Sequence, residues 1–242
     1  MKLSILIPAF NEEKTIASVL DKVVAQNYYG WEKEIIVVDD GSTDDTKGKI
    51  SAFAKVFDPE VSDRRASADK ENLRLISHSQ NRGKGSAIRT GVESATGDAV
   101  IVQDADLEYD PAEIQNLLNE LGDHRDLAVY GSRNLKPERR GYSHYVIGSK
   151  ILDWLVNLFF GTNLTDVYTC YKLFPTEIIK KIDIQSRGFE LEMELTVKTL
   201  KMGYQIKEVP IHYYPRKFNE GKKIRALDGI KGIITLLRYR FY

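Results

Sequence analysis

The 242-residue chain has a single cysteine, Cys170, so no disulfide can form within it and a reducing compartment fits. Neither charge is in excess. Lys plus Arg and Asp plus Glu number 35 each, which argues against bulk nucleic-acid binding. No apolar run reaches the ~20 residues that a membrane-spanning helix needs. The first apolar run, Leu3 to Phe10, is short and ends in Asn11-Glu12-Glu13-Lys14 without a small-residue cleavage site. It reads as a strand, not a signal peptide. His78, His124, His144 and His212 show no metal-binding spacing, and nothing resembles a Cys/His zinc site. Glycine is missing where a dinucleotide-binding turn needs it, since the first strand runs into Pro8-Ala9-Phe10-Asn11-Glu12. Gly83-Lys84-Gly85 lacks the spacing and the Lys-Ser/Thr pair of a Walker loop. It reads either as an anion cradle with Lys84 or as a tight turn.

Apolar residues make up 42% and charged residues 29%, an ordinary globular composition. The length suits one domain with a tail. The stretch Ala99 to Pro111 stands out. A continuous apolar run suits a strand buried on both faces, and it ends in acids at alternate positions, Asp104, Asp106 and Glu108. Packed carboxylates at a buried strand end are tolerable around a divalent cation, and oxygen ligands suit Mg2+ or Mn2+. An EF-hand loop needs Gly where Tyr109 stands and Glu where Gln115 stands. The plain alternative is a solvated turn. Asp110, Pro111 and Glu113 read as a capping box opening the next helix.

Strands and helices alternate through the first half. Strands are expected at Leu3–Pro8, Glu34–Val38, Leu73–Ser77, Ala99 onward and Leu127–Tyr130. Asn11 is the expected cap of the first helix, with Ile16, Val19, Leu20, Val23 and Val24 facing a sheet, and Ile50, Phe53 and Phe57 face inward from the second. The charged stretch Asp58–Asn72 reads as a surface excursion. This alternation signals a mostly parallel α/β sheet with ligands at the carboxyl strand ends. An NAD-type reading fits Asp39 but not the glycine-free first turn. In the second half, Tyr145–Phe160 is an apolar helix with a polar stripe of Lys150, Asp153 and Asn157. The tail places Leu227, Ile230, Ile234, Leu237 and Phe241 on one face beside Lys222, Lys223, Arg225, Lys231, Arg238 and Arg240. Both segments suit either a membrane interface or packing on the core or a partner subunit.

Four ordered motifs carry a resemblance: Ile7-Pro8-Ala9-Phe10-Asn11-Glu12-Glu13, Val37-Val38-Asp39-Asp40-Gly41-Ser42-Thr43-Asp44, Asn81-Arg82-Gly83-Lys84-Gly85 and Asp104-Ala105-Asp106-Leu107. Together they resemble family 2 glycosyltransferases of the GT-A fold, closest to the dolichyl-phosphate mannose synthase and polyprenyl-phosphate glycosyltransferase group. The resemblance runs to about Lys223 and implies a catalytic domain over residues 1–221, followed by a basic amphipathic helix at 222–242. It implies that Pro8, Phe10 and Glu12 line the nucleotide pocket, that Val37 and Asp39 read base and ribose, and that Lys84 faces the donor anion. Asp104, Ala105 and Asp106 match the DxD element that holds metal and diphosphate. Glu108 is a candidate third metal ligand, in a place where that branch often has Gln. Arg216 matches a basic residue that reaches the diphosphate, with Lys222 in the same segment.

The implied reaction moves a hexose, with inversion, from GDP-mannose or UDP-glucose to a polyprenyl phosphate at the cytoplasmic membrane face. Arg133, Arg139 and Arg140 are candidate clamps for the acceptor phosphate, although Arg139-Arg140 reads equally as a solvated pair. A hydroxyl acceptor would instead need a carboxylate base, for which Asp166 is the candidate and a helix or turn cap the plain alternative. Cys170 stands where many relatives have Gly. Glu190, Glu192 and Glu194 read as an exposed helix face. The rival functions are transfer to a glycan or other hydroxyl, and a noncatalytic sugar-nucleotide-binding module.

Overall fold

The computed structural model describes residues 1–56, 73–136, 143–216 and 226–241. The Asp58–Asn72 excursion, Phe57, Arg139, Arg140 and Lys222 lie outside the described residues. Seven strands form one sheet: β1 (Lys2–Ala9), β2 (Glu32–Asp39), β3 (Leu73–Ser77), β4 (Ala99–Val102), β5 (Leu127–Ser132), β6 (Lys172–Pro175) and β7 (Gln205–Pro210). Their order is β3-β2-β1-β4-β6-β5-β7. Pairing is parallel except around β6, which runs antiparallel to both β4 and β5. The expected mostly parallel α/β sheet is therefore present, with one reversed strand wedged into it.

The helices are α1 (Ile16–Ala25), α2 (Thr46–Val56), α3 (Lys84–Ser94), α4 (Ile114–Leu121), α5 (Ser143–Phe160), α6 (Thr176–Lys181), α7 (Leu191–Lys201) and α8 (Ala226–Phe241). One core lies between the sheet and α1, α2 and α4, centred on Ile5, Ile35, Leu20 and Leu117. A second packs the opposite face against α3, α6 and α7. A third joins α5, α7 and α8 through Leu152, Val156, Val197 and Leu236.

Several expectations are corrected. Helix α1 begins at Ile16, not after Asn11. Asn11 adopts φ +52°, a conformation asparagine tolerates, and accepts from Thr43 N at 2.9 Å, tying two strand-end loops together. Asp110 does accept from Ala112 N at 3.0 Å, but Glu113 does not close a capping box. Its carboxylate instead takes His212 N and Nδ1, both at 2.7 Å. Two residues of the polar stripe of α5, Asp153 and Asn157, turn inward, while Lys150 stays exposed. Buried Asp153 accepts from Val167 N at 2.8 Å, and Asn157 accepts from Leu164 N at 2.8 Å. Ile151, Trp154 and Leu158 are 50–60% exposed. On α8, Leu227, Ile230, Ile234, Leu237 and Phe241 are 42–64% exposed. No helix among the described residues is long and apolar enough to cross a membrane.

Candidate active site

A cavity of about 380 Å³ opens at the carboxyl ends of β1, β2 and β4, where parallel strands gather ligands. Pro8, Phe10 and Glu12 line it, as do Lys84, Asp104, Ala105, Asp106, Glu108, Arg133 and Arg216. Val37 and Asp39 do not. Val37 is fully buried in the core under α1 and α2. Asp39 is 2% exposed, with Oδ1 accepting from Ser42 N at 3.3 Å. The lining acid from this loop is Asp40, one residue on. It takes Arg82 N at 3.0 Å, Gly83 N at 2.7 Å and His78 Nδ1 at 2.6 Å, fixing the third strand-end loop.

That loop is a docking turn. Gly83 has φ +92°, and a Cβ there would meet Arg187 O at 2.3 Å. Gly85 N donates to Arg187 O at 3.0 Å, and a Cβ on Gly85 would lie 1.9 Å from Ser186 O. The glycines thus let residues 185–188 lie against the start of α3. Lys84 reaches inward, with Nζ 2.8 Å from Asp104 Oδ1, 3.2 Å from Cys170 Sγ and 3.5 Å from Glu192 Oε1. Burial pushes Asp104 up, but the Lys84 ammonium, hydrogen bonds from Cys170 and Lys84, and the Arg216 charge together outweigh it and hold the carboxyl below its usual range. Burial also raises the Cys170 thiol well above its usual value, so it stays protonated.

The turn after β4 carries a left-handed Leu107, φ +63°, a cost that tends to persist at functional sites. Burial, then the charges of Asp104 and Glu108, push Asp106 up to about 7. Arg216 opposes this. Its Nη2 lies 2.9 Å from Asp106 Oδ2 and its Nη1 3.1 Å from Glu12 Oε2. Its Nε is buried without a hydrogen-bond partner and stands 3.9 Å from Glu108 Oε1. Glu108 braces the arginine's own segment, accepting from Arg216 N at 2.7 Å and Tyr213 Oη at 2.7 Å. No group of three acidic, His or Cys side chains among the described residues is arranged to hold a metal. The expected Asp104, Asp106 and Glu108 triad is therefore not preassembled, because Lys84, Arg216 and Tyr213 engage its oxygens. The site nonetheless fits a cation, since acids that repel one another already draw in a guanidinium with a nitrogen left over.

Across the cavity, Arg133 and Asp166 form a closed pair. Nε and Nη2 of Arg133 each lie 2.7 Å from a different Asp166 oxygen, and Arg133 N donates to Oδ2 at 2.9 Å. The Arg133 guanidinium also stacks on Tyr213, 5.0 Å from the ring centroid. Asp166 N and Thr165 N donate to Glu208 at 2.9 and 2.8 Å. Asp166 is 0% exposed and does not line the cavity. It positions Arg133 and is unsuited to the expected role of general base. Sequence reasoning missed Glu192, which is buried, lines the cavity and pairs with Lys172 at 2.7 Å. It also missed Glu194, which holds Gln185 N and Ser186 N at 2.9 and 2.7 Å. Helix α7 is packed between two cores, so its acids read as an exposed face although they are inside. The available signal was Lys198, four residues after Glu194 and 2.6 Å from it.

Residues 4–183 match the sequence model of Glycosyl transferase family 2. Uncharacterized protein MJ1222 of Methanocaldococcus jannaschii is 29% identical over all of this chain and 93% of its own length. The low-salt glycan biosynthesis hexosyltransferase Agl6 of Haloferax volcanii is 30% identical over 89% of this chain, which spans 48% of Agl6. Glucosyl-3-phosphoglycerate synthase from Mycobacterium tuberculosis, solved with Mn2+, UDP-glucose and phosphoglyceric acid, aligns with TM-score 0.71 at 21% identity. That alignment covers 99% of this chain and 80% of the synthase, and it shows a shared GT-A fold. The family match takes in most of β1, all of β2 to β6 and most of the loops that build the cavity, so the chain belongs to glycosyl transferase family 2 and is a glycosyltransferase.

Proposed function

We propose that the chain transfers a hexose from a nucleotide sugar to a polyprenyl phosphate, as in the dolichyl-phosphate mannose synthase-like group, with inversion at the anomeric carbon. One observation carries the choice of acceptor. Among the described residues, every carboxylate lining the cavity is already engaged. Glu12 and Asp106 face Arg216, Asp104 faces Lys84, and Glu192 faces Lys172. Asp40 is held by backbone amides and His78, and Glu108 by Arg216 N and Tyr213. None is free to take a proton from a hydroxyl. A phosphate acceptor is already ionised near neutral pH and needs no base, only to be held close to the anomeric carbon.

In this reading Pro8, Phe10 and Glu12 bound the nucleotide. Asp104 and Asp106 hold a divalent cation, Mg2+ or Mn2+, and Lys84 keeps Asp104 ionised and aimed. When bound, the cation supplies positive charge to the leaving diphosphate. Arg216 gives up Asp106 to the cation, stays paired with Glu12, and turns its freed edge to that diphosphate, where it stabilises the charge that develops. Arg133, held planar by Asp166, offers its remaining guanidinium edge to the cavity. Arg187 also lines the cavity and forms no ion pair with another described residue, so it is available to an incoming phosphate. The exposed apolar faces of α5 and α8, flanked by Arg238 and Arg240, suit peripheral contact with the cytoplasmic membrane face.

The test is turnover. UDP-glucose and GDP-mannose are each offered with Mn2+ and one of three acceptors: a polyprenyl phosphate, a free sugar or 3-phosphoglycerate. Transfer to the polyprenyl phosphate is expected. Transfer confined to either hydroxyl acceptor overturns the reading, and donor binding without turnover on any acceptor returns the chain to a binding module.

A further inference from the structure

A second cleft, about 320 Å³, lies between α8 and residues 185–190. Arg187 lines both this cleft and the catalytic cavity. The two hollows therefore share one residue, Arg187. Lys231 and Arg238 line the cleft from α8, with Ile234 and Thr235 between them. Positions 231, 234, 235 and 238 fall on one flank of a helix. Arg187, Lys231 and Arg238 are all exposed and form no ion pair with another described residue. Arg238 is partly ordered, its guanidinium 5.4 Å from the Tyr239 ring centroid and 3.5 Å from Gln185 Oε1. The one acid in the lining is Glu190, whose Oε1 is taken by the amides of Arg187 and Gly188 at 3.3 and 3.0 Å. Three cations against one acid leave the cleft net positive.

Beside it runs the exposed apolar stripe of α8, from Leu227 through Ile230 and Ile234 to Leu237. Ile234 belongs to both the stripe and the cleft. A wall of guanidinium and ammonium groups that grades into an aliphatic ridge matches one chemistry, a phosphate head on an alkyl or prenyl tail. Helix α8 also packs against one wall of the catalytic cavity. Tyr168 lines that cavity, and its hydroxyl lies 1.9 Å from where a Gly232 Cβ would stand.

We infer that the α8 cleft is the entry site for the acceptor lipid: Lys231 and Arg238 take its phosphate, the Leu227–Leu237 stripe carries its tail, and Arg187 hands the phosphate into the catalytic cavity. This rests on the lipid-phosphate reading of the acceptor, but it is testable without turnover.

The probe is dodecyl phosphate below its micelle concentration, titrated calorimetrically into the full chain without donor. Inorganic phosphate and dodecyl maltoside are the comparison arms. Dodecyl phosphate is expected to bind more tightly than either. The double variant Lys231→Glu/Arg238→Glu should weaken it about tenfold or more, the scale of one lost charge-assisted hydrogen bond. Ile234→Ser should weaken dodecyl phosphate and leave inorganic phosphate alone, since it removes the aliphatic contact without adding charge. Because these side chains are exposed, thermal melting checks that the fold is kept, and Lys231→Gln/Arg238→Gln should give an intermediate loss. Undiminished binding by the charge-reversed variant overturns the inference, as does inorganic phosphate binding as well as dodecyl phosphate. If a polyprenyl phosphate is glycosylated with unchanged KM by the reversed variant, the entry site fails and the acceptor reading stands. If the cleft binds dodecyl phosphate as described and no lipid is glycosylated, the acceptor reading fails and the cleft stands.

Discussion

Two arginine–carboxylate groups face each other across the cavity, and they are built to opposite ends. Arg133 meets Asp166 through two parallel bonds of 2.7 Å, with the acid at 0% side-chain exposure and a third bond from the backbone. Arg216 meets Glu12 through Nη1 at 3.1 Å and a longer Nη2 contact at 3.4 Å, divides that Nη2 with Asp106 at 2.9 Å, leaves Nε without a hydrogen bond, and is 15% exposed, as is Asp106. The first pair is saturated and fixes geometry. The second is under-satisfied on the cation side and crowded on the acid side, so another cation can take the arginine's place. Ion pairs of one chemistry thus divide into a structural brace and an exchangeable counter-ion according to how completely their atoms are used.

That contrast is broken most severely at Asp106. Asp106→Ala should lower turnover by about a hundredfold or more, the scale set by loss of a group acting directly on developing charge. It should leave folding stability nearly unchanged, because the carboxylate removed is one its neighbours repel. Asp166→Ala should do the reverse first. Leaving Arg133, which is 22% exposed, without its partner costs about 3 kcal/mol, the low end for a broken buried pair, read as a shift in the urea midpoint at unchanged slope. If Arg216→Gln destabilises as much as Asp166→Ala, the distinction between the pairs is lost.

A subtler handle lies behind the brace, at Asp153. Burial, with added repulsion from Asp166 and Glu208, pushes its pKa up from 3.8 to about 8. Between those values the folded chain holds a proton that the unfolded chain has released. Stability therefore falls as pH rises through that window and levels off above it. Asp153→Asn keeps an acceptor for Val167 N and should flatten this decline, as seen in thermal melts from pH 4 to 9. The smallest effect is expected at Glu108. Glu108→Gln keeps an acceptor for Arg216 N, with its amide NH2 donating to the Tyr213 hydroxyl instead of accepting from it, and should change nucleotide affinity less than Asp106→Asn does.

Much of the N-terminal half was legible in the sequence. Continuous apolar runs mark β1, β2 and β4 because both faces of a central parallel strand are covered, and their polar ends fall where ligands collect. The DxD acids could be found from alternation alone. The C-terminal half hid its organisation. Strand β6 is four residues long and begins with a buried lysine, Lys172, so no periodicity announces it. Asp166 reads as a base because a carboxylate near a pocket looks available, and only the tertiary fold shows Arg133 consuming both oxygens. Val37 and Asp39 precede the lining acid Asp40 by three residues and by one, and both are buried, a distinction that pattern does not resolve. Asn157 and Asp153 face inward on α5 because they anchor residues 164–167, a demand set by a segment distant from the helix in pattern but adjacent in space.

The most direct test of the exchangeable counter-ion is Mn2+ binding followed by electron paramagnetic resonance, with and without UDP or GDP, in wild type, Arg216→Gln and Asp106→Asn. Manganese should bind wild type weakly alone and tightly with a nucleotide, bind Arg216→Gln more readily alone, and be lost from Asp106→Asn. Retention of nucleotide-dependent manganese by Asp106→Asn would contradict the placement of the cation at the end of β4.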